Sequence, residues 1–182
     1  MNIHFGIEPS IALEPALAAD ANAIAALHAD SWRRTYRGML PDSFLDEEVE
    51  ADRAALWRGR FADPALERRL ILKATRERAL LGFVCVMLDV EPAWGARLDN
   101  LHVDAHCKGA GIGYVLFQAA RRWTAEVAAD QPMHLWVLEQ NTDARVFYDR
   151  QGGTVVEKAE RTLVRDCAVA ELRYLWPPLR QS

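Results

Sequence analysis

The chain has few cysteines and no evident membrane or export segment. Cys85, Cys107 and Cys167 are an odd number, lie far apart and form no C-x-x-C pair. This spacing favours neither a disulfide framework nor a zinc site, so we expect no bound metal and a reducing compartment, the cytoplasm. No apolar run approaches the roughly 18 residues of a membrane-spanning helix. Residues 1–10 lack the basic start and apolar run of a signal peptide.

The chain also has no large excess of positive or negative charge. The 182 residues include 22 basic and 26 acidic side chains, which give a net charge of −4, and no basic block stands out. Nucleic acid and anionic membranes are therefore not expected as partners. With 51% hydrophobic and 26% charged residues, the chain has the composition of a globular domain with a full hydrophobic core. We predict a leader at residues 1–10 and a single domain at residues 11–182.

Two common nucleotide-binding patterns are absent. The pattern G-x-x-x-x-G-K-[ST] occurs nowhere, and G-x-G-x-x-G fails because Tyr114 stands where its last glycine belongs. What is present is an apolar stretch ending at Val103, followed by a glycine-rich segment at residues 108–113 that opens an amphipathic helix. Alternate glycines leave backbone N–H groups uncovered, and a helix start favours phosphate. A turn with packing glycines is the alternative.

Two patterns carry a family resemblance. The segment K-G-A-G-I-G (108–113) fits [QR]-x-x-G-x-[GA] with lysine in the first slot, and it resembles motif A of the Gcn5-related N-acetyltransferases (GNAT). The segment L-W-V-L-E-Q-N-T-D-A-R-V-F-Y-D-R-Q-G-G (135–153) resembles the family's motif B, which is a strand, an asparagine and a helix containing A-x-x-F-Y. Because both patterns occur in the family's order and spacing, the chain is identified as a member.

The hydrophobic periodicity predicts the element order β-α-α-β-β-β-α-β-α-β-β. Strands are expected at residues 11–17, 70–75, 80–90, 96–103, 133–139, 154–158 and 169–176, and helices from residue 20 and at 42–61, 111–128 and 142–151. Meander strands before the glycine loop argue against a doubly wound sheet and indicate a mixed α/β fold. The resemblance implies a twisted mixed sheet of six to seven strands, with the motif A and motif B strands splayed apart, flanked by about four helices.

Side-chain directions follow from the same periodicity. Strand alternation places Asn100 and His102 on one face, and Asp99, Leu101 and Val103 on the other. In the helix at residues 111–128, helical spacing predicts a core-facing side made of Val115, Leu116, Ala119, Trp123 and Val127, and a solvent-facing side that includes Arg121 and Arg122.

The resemblance implies acetyl-CoA as cosubstrate. Its pyrophosphate would lie on the amides of Lys108, Gly109, Ala110, Gly111, Ile112 and Gly113, and its pantetheine arm along Leu101, His102 and Val103. Asn141 would contact the arm, although asparagine is also a preferred helix N-cap. Phe147 would pack beneath the cofactor and Tyr148 would be the general acid for the departing thiolate. Core packing is the alternative for both aromatic residues.

The general base is less well marked. His102 is the first candidate, because the pKa of histidine lies near neutral pH, but a lone histidine is often structural. Asp99 and Glu139 are weaker candidates. A base acting through water, or an amine that arrives partly neutral, is a further possibility.

The pattern W-x-x-x-Y-x-G-x-L-P at residues 32–41 resembles bacterial acetyltransferases of the kind that includes polyamine-modifying enzymes. Trp32 and Tyr36 stand one helical turn apart, so they could share a substrate wall with cation–π contact to an amine. Core packing explains them equally well. The neighbouring Arg33, Arg34 and Arg37 would instead suit a carboxylate or a phosphate.

These observations predict an N-acetyltransferase that moves an acetyl group to a primary amine by direct attack. A small amine, polyamine, amino acid or antibiotic is favoured over a protein terminus as acceptor. The alternatives are a non-catalytic acyl-CoA-binding sensor or partner module, and transfer of a longer acyl group. The sequence leaves both a monomer and a homodimer open.

Overall fold

The strands and helices follow one another in the order that the sequence predicts. The computed structural model describes residues 11–164 and 167–179, so the predicted leader at residues 1–10 lies outside the described residues. The strands are β1 Ala12–Pro15, β2 Arg69–Arg76, β3 Ala79–Glu91, β4 Gly95–Val103, β5 Met133–Leu138, β6 Thr154–Val164 and β7 Cys167–Trp176. The α-helices are α1 Ala21–Thr35, α2 Val49–Ala62, α3 Ile112–Val127 and α4 Thr142–Arg150.

The strands form one mixed sheet in the order β1-β2-β3-β4-β5-β7-β6. Neighbouring strands are antiparallel except β4 and β5, which are parallel. These two pair only at Ala96 with Met133 and at Arg97 with His134, and then diverge. The predicted splay between the motif A and motif B strands is confirmed, and it leaves a V-shaped gap in the middle of the sheet.

The start of β4 depends on a glycine. Gly95 has φ +78°, and an added Cβ would lie 2.2 Å from the carbonyl oxygen of Pro132. The next residue, Ala96, donates its N–H to that same oxygen at 2.9 Å. The close approach joins β4 to the beginning of β5 at the closed end of the gap.

A β-bulge then interrupts β4. Cys85 pairs with Asn100 and Val86 with Leu98, so Asp99 is an extra residue opposite β3. The predicted alternation was wrong at this point: the side chains of Asp99 and Asn100 both accept hydrogen bonds from Arg60. A bulge bends its strand and increases its twist, which agrees with the turn of β4 away from β5.

Helices cover both faces of the sheet. On one face, α3 and α4 pack over the largest apolar cluster, which includes Leu98, Leu116, Phe117, Leu135 and Tyr174. On the other face, α1 and α2 bury a second cluster around Ile24, Trp57, Ile71 and Phe83. A third cluster joins the α1–α2 connection to the end of the β6–β7 hairpin. Among the described residues, no helix combines the length and the apolar character needed to cross a bilayer.

Four local predictions need correction. Arg121 is only 8% exposed and donates to the carbonyl oxygen of Pro177, because the chain after β7 crosses this helix. Val127, predicted to face the core, is 50% exposed. The strand predicted at 154–158 continues to Val164 because it stays paired with β7. The helix predicted at 42–61 contains a π-helical turn at Phe44–Glu48, whose wide geometry precedes α2.

The glycine at the start of β4 yields a stability prediction. Gly95→Ala should lower the free energy of unfolding by at least about 2 kcal/mol, because the new methyl group clashes with a backbone oxygen at a strained φ. Gly59→Ala is the matched control, since Gly59 lies inside α2 with no heavy atom within 4 Å of its added Cβ. It should raise stability by up to about 1 kcal/mol. Urea denaturation measures the free energy of unfolding of both variants. Equal changes in Gly95→Ala and Gly59→Ala would contradict the role of Gly95.

Candidate active site

The glycine loop at residues 108–113 presents free backbone donors. Gly109 and Gly111 have φ +82° and +79°, a left-handed conformation that favours glycine. Gly111 is the N-cap of α3. Within the described residues, no acceptor is found for the N–H groups of Gly111, Ile112, Gly113 and Tyr114. Together with the positive end of the helix dipole, these donors form an anion site. The exposed Lys108 lies beside them.

The third glycine brings three elements together. A Cβ on Gly113 would lie 3.7 Å from the Val103 side chain and 3.8 Å from the Phe147 ring. The start of α3 therefore packs between the end of β4 and α4. Phe147 is half-buried and also lies edge-on to Phe117, with a centroid distance of 6.0 Å.

The end of β4 has one unpaired edge. Leu101, His102 and Val103 pair with β3 on one side. On the other side β4 has no β5 partner beyond Arg97. The backbone of these three residues therefore borders the gap next to the glycine loop, and its unpaired groups are available to an extended ligand.

Asn141 begins α4 at the other arm of the gap. Its side-chain oxygen accepts the N–H of Ala144 at 3.2 Å, and the residue is 8% exposed. The N-cap role is therefore present. Because one amide oxygen has two lone pairs and the amide nitrogen donates two protons, a ligand contact is compatible with the cap.

Tyr148 is held rigidly on the α4 side of the sheet. Its ring lies 5.8 Å from Trp176 and 5.9 Å from Tyr174, and the residue is 8% exposed. Among the described residues, no hydrogen-bond partner is found for its hydroxyl group. Burial raises the pKa of Tyr148 far above its usual value, and the negative charge that Tyr36 carries when ionised adds to the shift. At neutral pH the group is a proton donor.

His102 lies in a buried aromatic cluster. The Ser31 hydroxyl is 2.8 Å from its Nδ1 atom, and its ring centroid is 4.4 Å from that of His28. Burial lowers the pKa of His102 to about 3, with Arg53 adding to the shift and Asp99 opposing it. The imidazole is therefore neutral and weakly basic, which does not favour it as the general base.

The two weaker base candidates are already in ion pairs. Asp99 binds Arg60 and lies 3.1 Å from Arg97. Glu139 accepts from Lys158 at 2.8 Å. Both carboxylates are thus neutralised by cations within the chain.

The rings of Trp32 and Tyr36 are in contact, as their helical spacing predicts, and both pack against the third apolar cluster. Their rings are perpendicular, with a centroid distance of 5.1 Å. The guanidinium of Arg53 already lies 4.1 Å above the Trp32 ring, so one face of that ring carries an internal cation. The three arginines nearby are also engaged: Arg33 with Glu50, Arg34 with Asp30, and Arg37 with Asp42 and Asp46.

A shallow cleft separates α1 from the glycine loop. It is lined in part by Asp30, Ser31, Arg34, Asp104 and Lys108. Val103 also lines it, so two of the predicted cofactor residues, Val103 and Lys108, border the same cleft as residues of α1.

Sequence analysis missed several polar residues of this region. Arg53 and Ser31 lie in ordinary helical patterns, and no signal distinguishes them. Glu171 and Arg173 did leave a signal, because they are charged residues at alternate positions of the otherwise apolar strand A-V-A-E-L-R-Y-L-W. Both are buried, at 4% exposure each.

The environment of His102 predicts its titration. Its imidazole should stay neutral from pH 8 to pH 5, because burial and Arg53 hold its pKa near 3. Ring-nitrogen chemical shifts in ¹⁵N-histidine-labelled protein measure this, with His102→Gln used to assign the signal. A protonation midpoint near 6.5 would contradict the buried position described above.

Comparison with known proteins gives a consistent result. The family model for the acetyltransferase (GNAT) family matches residues 25–153. No curated protein matches the sequence. Among solved structures, PaiA N-acetyltransferase from Thermoplasma acidophilum in complex with coenzyme A aligns with a TM-score of 0.74 and 17% identity, covering 92% of this chain and 99% of that one.

Two further structures show the same fold. A GCN5-related N-acetyltransferase from Rhodopseudomonas palustris has a TM-score of 0.73 and 19% identity, covering 96% and 99% of the two chains. YncA from Salmonella typhimurium, solved with its cofactor acetyl-CoA, has a TM-score of 0.67 and 13% identity, covering 94% and 96%. Since the family model spans more than half of the sequence, the chain belongs to the acetyltransferase (GNAT) family.

Proposed function

We propose that this protein is an acetyl-CoA-dependent N-acetyltransferase that acts on a primary amine. The observation that carries the proposal is the glycine loop, whose free N–H groups at the start of α3 lie beside the unpaired end of β4. An anion site and an unpaired strand edge suit a ligand with a phosphate group at one end and an amide-containing arm. Coenzyme A has both features.

Comparison supports this assignment. PaiA was solved in complex with coenzyme A and YncA with acetyl-CoA. By analogy, the amides of residues 108–113 would bind the pyrophosphate and Lys108 would add a positive charge. Leu101, His102 and Val103 would hold the arm by their backbone, with Asn141 and Phe147 on the opposite side.

The reaction we propose is a direct transfer. Acetyl-CoA supplies an activated thioester carbonyl group. A backbone N–H near Val103 would stabilise the negative charge that develops on the carbonyl oxygen. Tyr148 would donate its proton to the departing sulfur, and its raised pKa keeps that proton in place until the thiolate forms. Trp32 and Tyr36 would line the acceptor side.

The second candidate is a non-catalytic acyl-CoA-binding module. It is favoured by one observation: none of the three predicted bases is a free basic group, because His102 has a strongly lowered pKa and the two carboxylates are ion-paired. Thiol release from acetyl-CoA in the presence of an amine panel decides between the two. Tight acetyl-CoA binding without thiol release for any amine would favour the module.

The glycine loop yields a binding prediction. Gly111→Glu should abolish saturable acetyl-CoA binding in a calorimetric titration, because the new carboxylate repels phosphate and the side chain is strained at φ +79°. Gly152→Glu adds the same charge at φ +77°, at the far end of α4. It should bind like the wild type. A folded Gly111→Glu variant with wild-type affinity would place the cofactor elsewhere.

Tyr148 yields a kinetic prediction. Tyr148→Phe should lower kcat by roughly 10²-fold or more through loss of the acid, while the Kd for acetyl-CoA stays constant. Tyr174→Phe is the control, since Tyr174 donates to Asp149 in the same aromatic cluster and takes no part in the proposed transfer. Both variants are compared in a thiol-release assay with an amine that the wild type acetylates. Weakened acetyl-CoA binding with unchanged kcat would overturn the acid role.

A further inference from the structure

We propose that Glu171 binds the ammonium group of the acceptor and accepts its proton before transfer. The inference deepens the function proposed above and rests on it. Glu171 lies on β7, outside both family motifs, and neither the fold nor the comparisons give it a role. Four features of its position support the assignment: its level along the sheet, its face, its unused oxygen and the charges around it.

The first feature is its level. Glu171 pairs with Leu138, the last residue of β5. Leu138 is four residues beyond His134, where the pairing of β5 with β4 stops, so it lies about 13 Å into the gap at ~3.3 Å per residue. Four residues along β4 from Arg97, where its pairing with β5 stops, is Leu101. Glu171 is therefore level with the part of β4 proposed to hold the thioester.

The second feature is its face. Leu172, Tyr174 and Trp176 belong to the cluster under α3 and α4, so Glu171 points to the opposite face, where α1 and α2 pack. Earlier residues of β7 on that same face, Cys167 and Val169, contact the cluster that includes Tyr36. The carboxylate thus lies on the acceptor side of the gap, whereas Tyr148 lies on the α4 side.

The third feature is a carboxylate oxygen of Glu171 that accepts no hydrogen bond from the described residues. Glu171 is 4% exposed, and its Oε2 atom has no hydrogen-bond partner in the described part of the chain. Arg161 Nε lies 3.5 Å away, an ion-pair distance without a hydrogen bond. A buried carboxylate oxygen without a donor is unfavourable. An ammonium group supplies both the missing N–H donor and a positive charge.

The fourth feature is the surrounding charge. Burial raises the pKa of the Glu171 carboxyl, while Arg161 on β6 and Arg97 on β4 oppose the shift. Burial raises the pKa of Tyr36 to about 12, the Glu171 charge adds to the shift, and Arg53 on α2 opposes it. The Glu171 carboxylate therefore lies within electrostatic range of Arg161, Arg97 and Tyr36.

The proposed proton transfer balances. The Glu171 carboxylate takes one proton from the ammonium group, and the freed nitrogen lone pair forms the C–N bond to the thioester carbonyl carbon. The C–S bond breaks, and the departing sulfur takes the Tyr148 proton. The second nitrogen proton returns through water to the Tyr148 phenolate, and Glu171 releases its proton to solvent. An alkylammonium ion and acetyl-CoA give an amide, coenzyme A and one proton.

Ammonium binding can be tested without any transfer reaction. The full chain is labelled with ¹³C at the glutamate carboxyl groups, the Glu171 signal is assigned with Glu171→Gln, and n-butylammonium chloride is titrated in the presence of coenzyme A. We expect a saturable shift of the Glu171 signal, with no comparable shift from sodium chloride or from tetramethylammonium, which has no N–H donor. An unmoved Glu171 signal would overturn the proposal, even if acetyl-CoA binds and transfer occurs.

Kinetics tests the proton transfer. With alkyl amines in the thiol-release assay, Glu171→Gln should lower kcat/KM about 10²-fold at pH 7 and leave acetyl-CoA affinity unchanged. Its kcat/KM should then rise tenfold per pH unit towards the pKa of the amine, because the variant depends on amine that is already neutral. Glu160→Gln, an exposed glutamate on the adjacent strand β6, is the control.

The outcomes separate the two proposals. A Glu171→Gln variant with wild-type kcat/KM and pH profile, but altered unfolding free energy, would reduce Glu171 to an ion pair with Arg161 and overturn its catalytic role. If the wild type releases no thiol with any amine, the proposed transferase function fails. A saturable ammonium shift at Glu171 would in that case still support its binding role, as a cation site of an acyl-CoA-binding module.

Discussion

The rest of the site depends on the divergence of β4 from β5. A parallel pair inside a sheet would normally satisfy the backbone groups of both strands. Here the pairing stops after Arg97, and the bulge at Asp99 bends β4 away. The gap leaves one edge of β4 unpaired beside the start of α3. It also makes an opening through the sheet between β4 and β5. Leu101, His102 and Val103 border this gap with their backbone, and the glycine loop follows them directly in the chain.

Two kinds of electrostatic environment meet at the gap. The glycine loop provides partial positive charge from backbone N–H groups, which binds anions without a fixed counter-charge. Around the rest of the gap lie ionisable groups whose pKa values are shifted away from the charged form: upward for Tyr36, Tyr148 and Glu171, and downward for His102. Burial is the largest cause in all four. Such an environment keeps a tyrosine hydroxyl protonated and makes a histidine a weaker base.

Packing explains why the arginines near Trp32 do not define a substrate. Arg33, Arg34 and Arg37 each reach an acidic side chain of α1, of α2 or of the segment between these helices. Arg53 covers the Trp32 ring. The charges that looked available in sequence are therefore used to hold the α1–α2 unit together. Among the described residues, Glu171 Oε2 is a buried carboxylate oxygen that forms an ion pair with Arg161 and accepts no hydrogen bond.

The sequence by itself determined the order of the elements, the glycine loop at the start of α3 and the family, because periodicity, glycine spacing and capping residues are local properties. Asn141 as the N-cap of α4, and the glycines of the loop at Gly109 and Gly111, belong to this class. Tertiary structure alone decided the bulge at Asp99, the burial of Arg121 and the lowered pKa of His102. It also decided that the Glu171 charge contributes to the raised pKa of Tyr36, which lies far away in the chain. These features depend on which residues meet across the sheet, and pairing between distant strands leaves no periodic trace in either strand.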